Sequence, residues 1–61
     1  MTPYRILGIT LIFYNGEREK LETVDPPIMD EPIFKVKERI LDGFKTLKYP
    51  PVNVMLDLKF I

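Results

Sequence analysis

Residues 4–14 read YRILGITLIFY, and this stretch decides the fold of the chain. Apolar side chains recur in both phases of its alternation. Leu7, Ile9, Leu11 and Phe13 stand at odd positions, and Tyr4, Ile6, Ile12 and Tyr14 stand at even positions. A strand that is apolar on both faces is expected to be covered on both faces. The stretch therefore predicts a central strand with a helix on its odd face and a second apolar surface on its even face.

The next two residues, Asn15 and Gly16, are typical of a tight hairpin turn. If Gly16 adopts a left-handed conformation in a bulge, Phe13 pairs with Glu17 and Leu21 joins the odd-numbered apolar face. A plain two-residue turn shifts the pairing by one residue and places Leu21 on the opposite face. We therefore predict the bulged hairpin.

The remaining chain continues the second strand and then gives a stiff connection, a helix and a third strand. The second strand is expected over residues 17–24. Residues 25–32 contain three prolines, which remove hydrogen-bond donors and exclude a helix there, and Asp30 is the predicted N-cap of the helix that follows. From residue 33 to residue 47, apolar side chains recur every three or four positions, which is the spacing of one buried helical stripe. Residues 52–61 alternate again and predict the third strand.

These elements predict an α+β fold. A right-handed crossover through the helix places the third strand beside the free side of the first. The result is a β-β-α-β chain with a three-stranded antiparallel sheet in the order 2-1-3 and one helix packed on one face. We expect a single small domain over residues 1–61. A chain of this length buries only about 60% of the surface that its unfolded form exposes, so association is an expected source of stability.

The residue types exclude most catalytic and metal-binding chemistry. The chain contains no Cys, His or Ser, which removes disulfides, thiolate and imidazole ligands, and the common nucleophiles and bases. The three glycines are too scattered to form a phosphate-binding loop. The carboxylates of Asp25, Asp30 and Glu31 match no known ligand spacing. We therefore expect no enzyme activity, no catalytic residues, no cofactor and no metal site.

Charge gives little support for nucleic acid or membrane partners. Nine basic and nine acidic residues give a formal net charge of zero, which does not favour binding along a phosphate backbone. The apolar N-terminal stretch is too short to span a bilayer, so we expect a soluble, cytoplasmic protein. One alternative stays open, a small nucleic-acid-binding or regulatory protein that uses a basic helix face. That face would contain Lys35, Lys37, Arg39, Lys45 and Lys48, although basic residues near a helix end also complement its dipole.

The two predicted sheet edges differ in charge. The second strand carries Arg18, Glu19, Lys20 and Glu22, whereas ten mostly apolar residues of the third strand include only two charged side chains. We therefore predict a homodimer formed through the third strand or through the even face of the first. The predicted interface residues are Tyr4, Ile6, Ile12, Tyr14, Met55, Asp57, Lys59 and Ile61.

The proline-rich connection offers a second contact for a protein partner. Ile28 and Met29 lie between prolines that hold the backbone extended, so that little ordering entropy would be lost on binding. The simpler role for this pair, and the one favoured by the spacing of Met29 and Phe34, is a hydrophobic staple that tethers the start of the helix. If the loop is a contact surface, replacing Ile28 by Ser should leave the thermal midpoint nearly unchanged, whereas a clear decrease would mean that Ile28 covers the core.

In its small size and its lack of catalytic residue types, the chain resembles phage and plasmid accessory proteins, which act by binding another protein. The sequence as a whole predicts a non-enzymatic protein-interaction module that self-associates. The alternative is the nucleic-acid-binding or regulatory protein described above.

Overall fold

The computed structural model describes residues 2–61, and Met1, the first residue of the predicted domain, lies outside them. The strands and the helix of the chain are β1 (Tyr4–Ile12), β2 (Arg18–Glu22), α1 (Ile33–Phe44) and β3 (Asn53–Phe60). β1 lies between β2 and β3 and is antiparallel to both. The predicted α+β fold with strand order 2-1-3 is confirmed. The backbone of α1 lies closer to β3 than to β1 or β2.

The hairpin between β1 and β2 has the predicted bulged register. The N–H of Phe13 donates to the C=O of Glu17, and the N–H of Gly16 donates to the C=O of Phe13, each at 2.9 Å. Gly16 has a φ of 87°, in the left-handed region that glycine adopts without strain. Ile9 lies opposite Leu21, as this register requires.

A second irregularity, within β1, was not predicted. Ile6 lies opposite Leu58, but Gly8 lies opposite Asp57, so Leu7 is an extra residue in β1 relative to β3. Side chains alternate along a strand with a period of two. One extra residue therefore exchanges the two faces of β1, in the manner of a β-bulge. Leu7 itself is 41% exposed.

The bulge determines the composition of the core. On its N-terminal side, Tyr4 and Ile6 are only 1% and 7% exposed and form a buried cluster with Val36 of α1. On its C-terminal side, the odd-numbered Leu11 is buried instead and lies opposite the buried Val54 of β3. The predictions that Tyr4 and Ile6 lie on an open face, and that only the odd face of β1 is turned to the helix, are therefore wrong.

Tyr4 also connects the proline-rich segment to the sheet. Its backbone N–H donates to the C=O of Met29 at 2.9 Å, and the N–H of Met29 donates to the C=O of Tyr4 at 2.8 Å. The hydroxyl of Tyr4 donates to the C=O of Glu31 at 2.7 Å, and its ring packs edge-on against Phe60. One side chain thus holds the core, the loop and β3 together.

α1 begins later than predicted, and Asp30 is not its N-cap. The helix starts at Ile33, and the C=O of Pro32 accepts the N–H of Lys35 at 3.1 Å. The residue before a proline avoids helical backbone angles, so Glu31 cannot lie in the first turn and the helix starts beyond Pro32. In the described chain no side chain caps this end.

The Tyr4 hydroxyl gives the first testable prediction. The substitution Tyr4→Phe removes the donor to the Glu31 carbonyl and leaves the packing of the ring in place. We expect the free energy of unfolding to fall by about 1 kcal/mol. Tyr14→Phe is the matched control, because Tyr14 is 73% exposed. Urea denaturation measures both variants, and equal midpoints for them would contradict the assigned role of the hydroxyl.

Two glycines give predictions of opposite sign. Gly16→Ala forces a side chain into a left-handed conformation and should lower the free energy of unfolding by about 1 kcal/mol. Gly43 lies one residue before the end of α1, and apart from its chain neighbours and the backbone of its own helix no atom lies within 4 Å of the position that a Cβ would occupy. Gly43→Ala should therefore raise the free energy of unfolding by about 0.5–1 kcal/mol through helix propensity. Thermal melts followed by circular dichroism measure both, and two changes of the same sign would contradict the turn or the helix end.

Candidate functional site

β3 forms one edge of the sheet, and its backbone groups face the two sides alternately. In an antiparallel strand every second residue directs its N–H and C=O toward the same neighbour. Ile61, which follows β3, donates its N–H to the C=O of Pro3 at 3.0 Å, so odd-numbered residues of β3 bond toward β1. It follows that even-numbered residues direct their backbone groups away from the sheet. They are Val54, Leu56, Leu58 and Phe60.

We call this outward row of backbone groups, from Val54 to Phe60, the open edge. One of its donors is satisfied, because the N–H of Val54 donates to the Oδ1 atom of Asn53 at 2.8 Å. Within residues 2–61, the N–H groups of Leu56, Leu58 and Phe60 have no such partner. The open edge thus offers three donors and a row of carbonyl acceptors.

Side chains along the open edge are apolar on one face of the sheet and mixed on the other. On the side of α1, Val54 is buried and Leu56 and Leu58 are half-buried. The other side carries the four predicted interface residues from the C-terminal part of the chain, and all four are exposed. They are Met55, Asp57, Lys59 and Ile61. The structure therefore brings these four residues together in one row.

The opposite edge, formed by β2, is short and charged. Its five residues read REKLE, and all of them are exposed. Charged side chains on an edge strand oppose pairing with another chain. The difference in charge that the sequence indicated between the two edges is therefore present in the folded molecule.

The four predicted interface residues from the N-terminal part of the chain do not form one surface. Tyr4 and Ile6 belong to the core because of the bulge, whereas Ile12 is half-buried and Tyr14 lies exposed in the hairpin turn. The sheet face away from α1 is mainly polar, and a depression there is lined by Thr10, Lys20, Met55, Leu56 and Asp57. An apolar face for stacking two copies is thus not present on this side of the described chain.

The two predicted loop residues have different environments. Met29 is half-buried, packs against the core cluster and pairs with Tyr4. Ile28 is 56% exposed. Arg5 holds the segment before them, because its guanidinium donates to the C=O of Pro26 at 2.6 Å. Met29 therefore anchors the loop, and Ile28 is free to contact a partner.

Charges on α1 are partly neutralised by nearby carboxylates. Arg39 forms an ion pair with Glu31 at 2.7 Å, and Lys45 forms one with Asp42 at 2.8 Å. The hydrogen bond to Asp42 raises the pKa of Lys45. Two of the five bases proposed for nucleic-acid binding thus face carboxylates, which reduces the positive potential of this face.

The contrast between Met29 and Ile28 gives a prediction. Met29→Ser removes a half-buried side chain from the core cluster and should lower the free energy of unfolding by about 1–2 kcal/mol, less than for a fully buried methionine. Ile28→Ser should leave it unchanged within about 0.5 kcal/mol. Thermal melts of both variants test this, and a clear loss of stability in Ile28→Ser would mean that Ile28 covers the core.

Neither a metal site nor a membrane-spanning helix is found in the described part of the chain. Over residues 2–61, no three His, Cys, Asp or Glu side chains are grouped so that they could hold a metal ion. No helix of these residues is long and apolar enough to cross a membrane. The chain matches no family model, no curated protein and no solved structure.

Proposed function

We propose that this chain is a non-enzymatic protein-interaction module that self-associates through the open edge of β3. The observation that carries the proposal is a row of unpaired backbone donors and acceptors on a strand of mostly apolar residues. An exposed edge of this kind is a template for another strand. A second copy of the same chain supplies that strand with an identical row of groups, related by a two-fold axis.

The small core is a reason for self-association. Five aliphatic or aromatic side chains in the described residues are buried, and they are Tyr4, Ile6, Leu11, Val36 and Val54. Domains of this size are marginally stable alone. Binding to a second folded copy stabilises the native state by mass action. The lack of Cys, His and Ser supports a role in binding and not in catalysis.

The proline-rich loop is a second surface that could contact a different protein. Binding another protein is how small phage and plasmid accessory proteins act. Val24 and Ile28 are exposed on this loop, although their side chains are large and apolar. Beside Val24 lies an open, mainly apolar pocket of about 340 Å³. It is lined by Ile6, Ile9, Thr23, Val24, Pro26, Pro27 and Met29. Because the loop follows β2, pairing through β3 would leave this surface free in both copies.

Backbone methylation tests the proposed dimer without changing a side chain. A chain of 61 residues is accessible to chemical synthesis, so an N-methyl group can be placed on Leu58, where it removes an outward donor. We expect the parent protein to sediment at twice its 7.2 kDa mass at micromolar concentration. The methylated protein should dimerise more weakly by a factor on the order of ten or more, because symmetry removes two hydrogen bonds.

The matched control is an N-methyl group on Lys20, whose N–H faces away from β1 on the β2 edge. It should leave the dimer unchanged. Circular dichroism checks that both methylated chains retain the parent fold. A monomeric parent protein, or an equal effect of the two methyl groups, would contradict self-association through the open edge.

A further inference from the structure

We propose that the two-fold axis of this dimer passes through Leu58, so that Asp57 of each copy pairs with Lys59 of the other. The inference rests on the proposed self-association and specifies its register. In a two-fold antiparallel pairing, one residue faces its own copy, and the choice of that residue fixes every other pair. The residues from Leu56 to Lys59 are the central candidates.

Backbone donors favour Leu58 as this residue. An axis at Leu58 pairs Leu58 with itself and Leu56 with Phe60 of the second copy. These pairs use the three N–H groups of the open edge that lack a partner. An axis at Leu56 would instead pair Val54 with Leu58, but the N–H of Val54 already donates to Asn53.

Charges favour the same register. With the axis at Leu58, Asp57 lies directly opposite Lys59 of the second copy, and symmetry repeats this pair. An axis at Asp57 would place two carboxylates opposite each other, and an axis at Lys59 would do the same with two ammonium groups. Like charges directly opposite one another destabilise a sheet. Opposite charges at exposed positions fix the register more than they increase the affinity.

On the face away from α1, exposed apolar side chains lie opposite each other only in this register. On the face away from α1, Met55 lies opposite Ile61 of the second copy, and both side chains are exposed in the single chain. On the side of α1, the exposed ring of Phe60 lies opposite Leu56. With an axis at Leu56, Met55 would lie opposite Asp57 and Ile61 opposite Pro51. The register at Leu58 therefore covers three exposed apolar side chains of the edge.

Single cysteines report the register directly, because the natural chain has none. Residues opposite each other in a hydrogen-bonded antiparallel pair have Cα atoms about 5.5 Å apart, within the range of a disulfide. Leu58→Cys should therefore form a disulfide-linked dimer under mild oxidation. Leu56→Cys and Asp57→Cys should form it at least about tenfold more slowly, because their own copies lie beyond this range. Non-reducing electrophoresis over time measures the three rates.

Charge reversal tests the same register at two side chains that are exposed in the single chain. Asp57→Lys and Lys59→Asp should each weaken self-association by a factor on the order of ten, because each creates two pairs of like charge. An equimolar mixture of the two variants should recover the affinity of the parent, because every pair then has opposite charges. Sedimentation at low ionic strength measures all three samples.

The outcomes separate the register from the dimer itself. The axis at Leu58 would be overturned if Asp57→Cys or Leu56→Cys cross-linked faster than Leu58→Cys. It would also be overturned if the Lys59→Asp variant dimerised as tightly as the parent. Either result would leave self-association itself intact. A parent protein that is monomeric under these conditions would overturn both proposals.

Discussion

Leu7 occupies a position in β1 that has no counterpart on β3, and this extra residue decides which side chains α1 covers. Before it, Tyr4 and Ile6 pack against Val36 of α1, and after it Leu11 is buried opposite Val54. Without the bulge, a regular strand would turn either its first or its last apolar residues away from the core. The bulge thus lets one strand of nine residues supply three of the five buried aliphatic and aromatic side chains of residues 2–61.

The connections of Tyr4 depend on the same irregularity. Because the ring of Tyr4 packs against α1, its hydroxyl reaches the carbonyl of Glu31. The backbone N–H and C=O of Tyr4 face away from β3 and pair with Met29. These bonds replace the strand pairing that β2 would have given had it continued. The proline-rich segment is therefore held beside β1 even though its prolines cannot act as donors. A stiff loop with an anchored Met29 and an exposed Ile28 follows from this arrangement.

Features that depend on neighbouring residues could be predicted from the sequence, and features that depend on distant pairing could not. The register of the hairpin follows from Asn15, Gly16 and the position of Leu21. The bulge opposite β3 depends on residues about fifty positions apart, and the apolar side chains in both phases of β1 predict two apolar faces. Tyr4, Ile6 and Leu11 lie instead on one buried face that changes phase at the bulge. Gly8 in the middle of the strand was the available indication, since an isolated glycine there is typical of a bulge.

The same distinction holds for the helix start and for the candidate site. Asp30 has the side chain of an N-cap, but the steric effect of Pro32 on the preceding residue prevails over it. Exposure of Met55, Asp57, Lys59 and Ile61 follows from alternation along β3, which is regular. The burial of Tyr4 and Ile6 depends on the bulge, which the alternation of β1 alone does not predict.

The charges on β2 have a consequence for the size of any assembly built from this chain. Pairing of β3 with β2 of a neighbour would be a head-to-tail contact, and such contacts extend without limit into fibres unless they close into a ring. Pairing of β3 with β3 of a second copy instead occupies the weakly charged edge of both chains at once. The six-stranded sheet that results would end on either side in the residues REKLE, whose charges oppose the addition of a further strand. The asymmetry between the two edges therefore favours a finite particle over a filament.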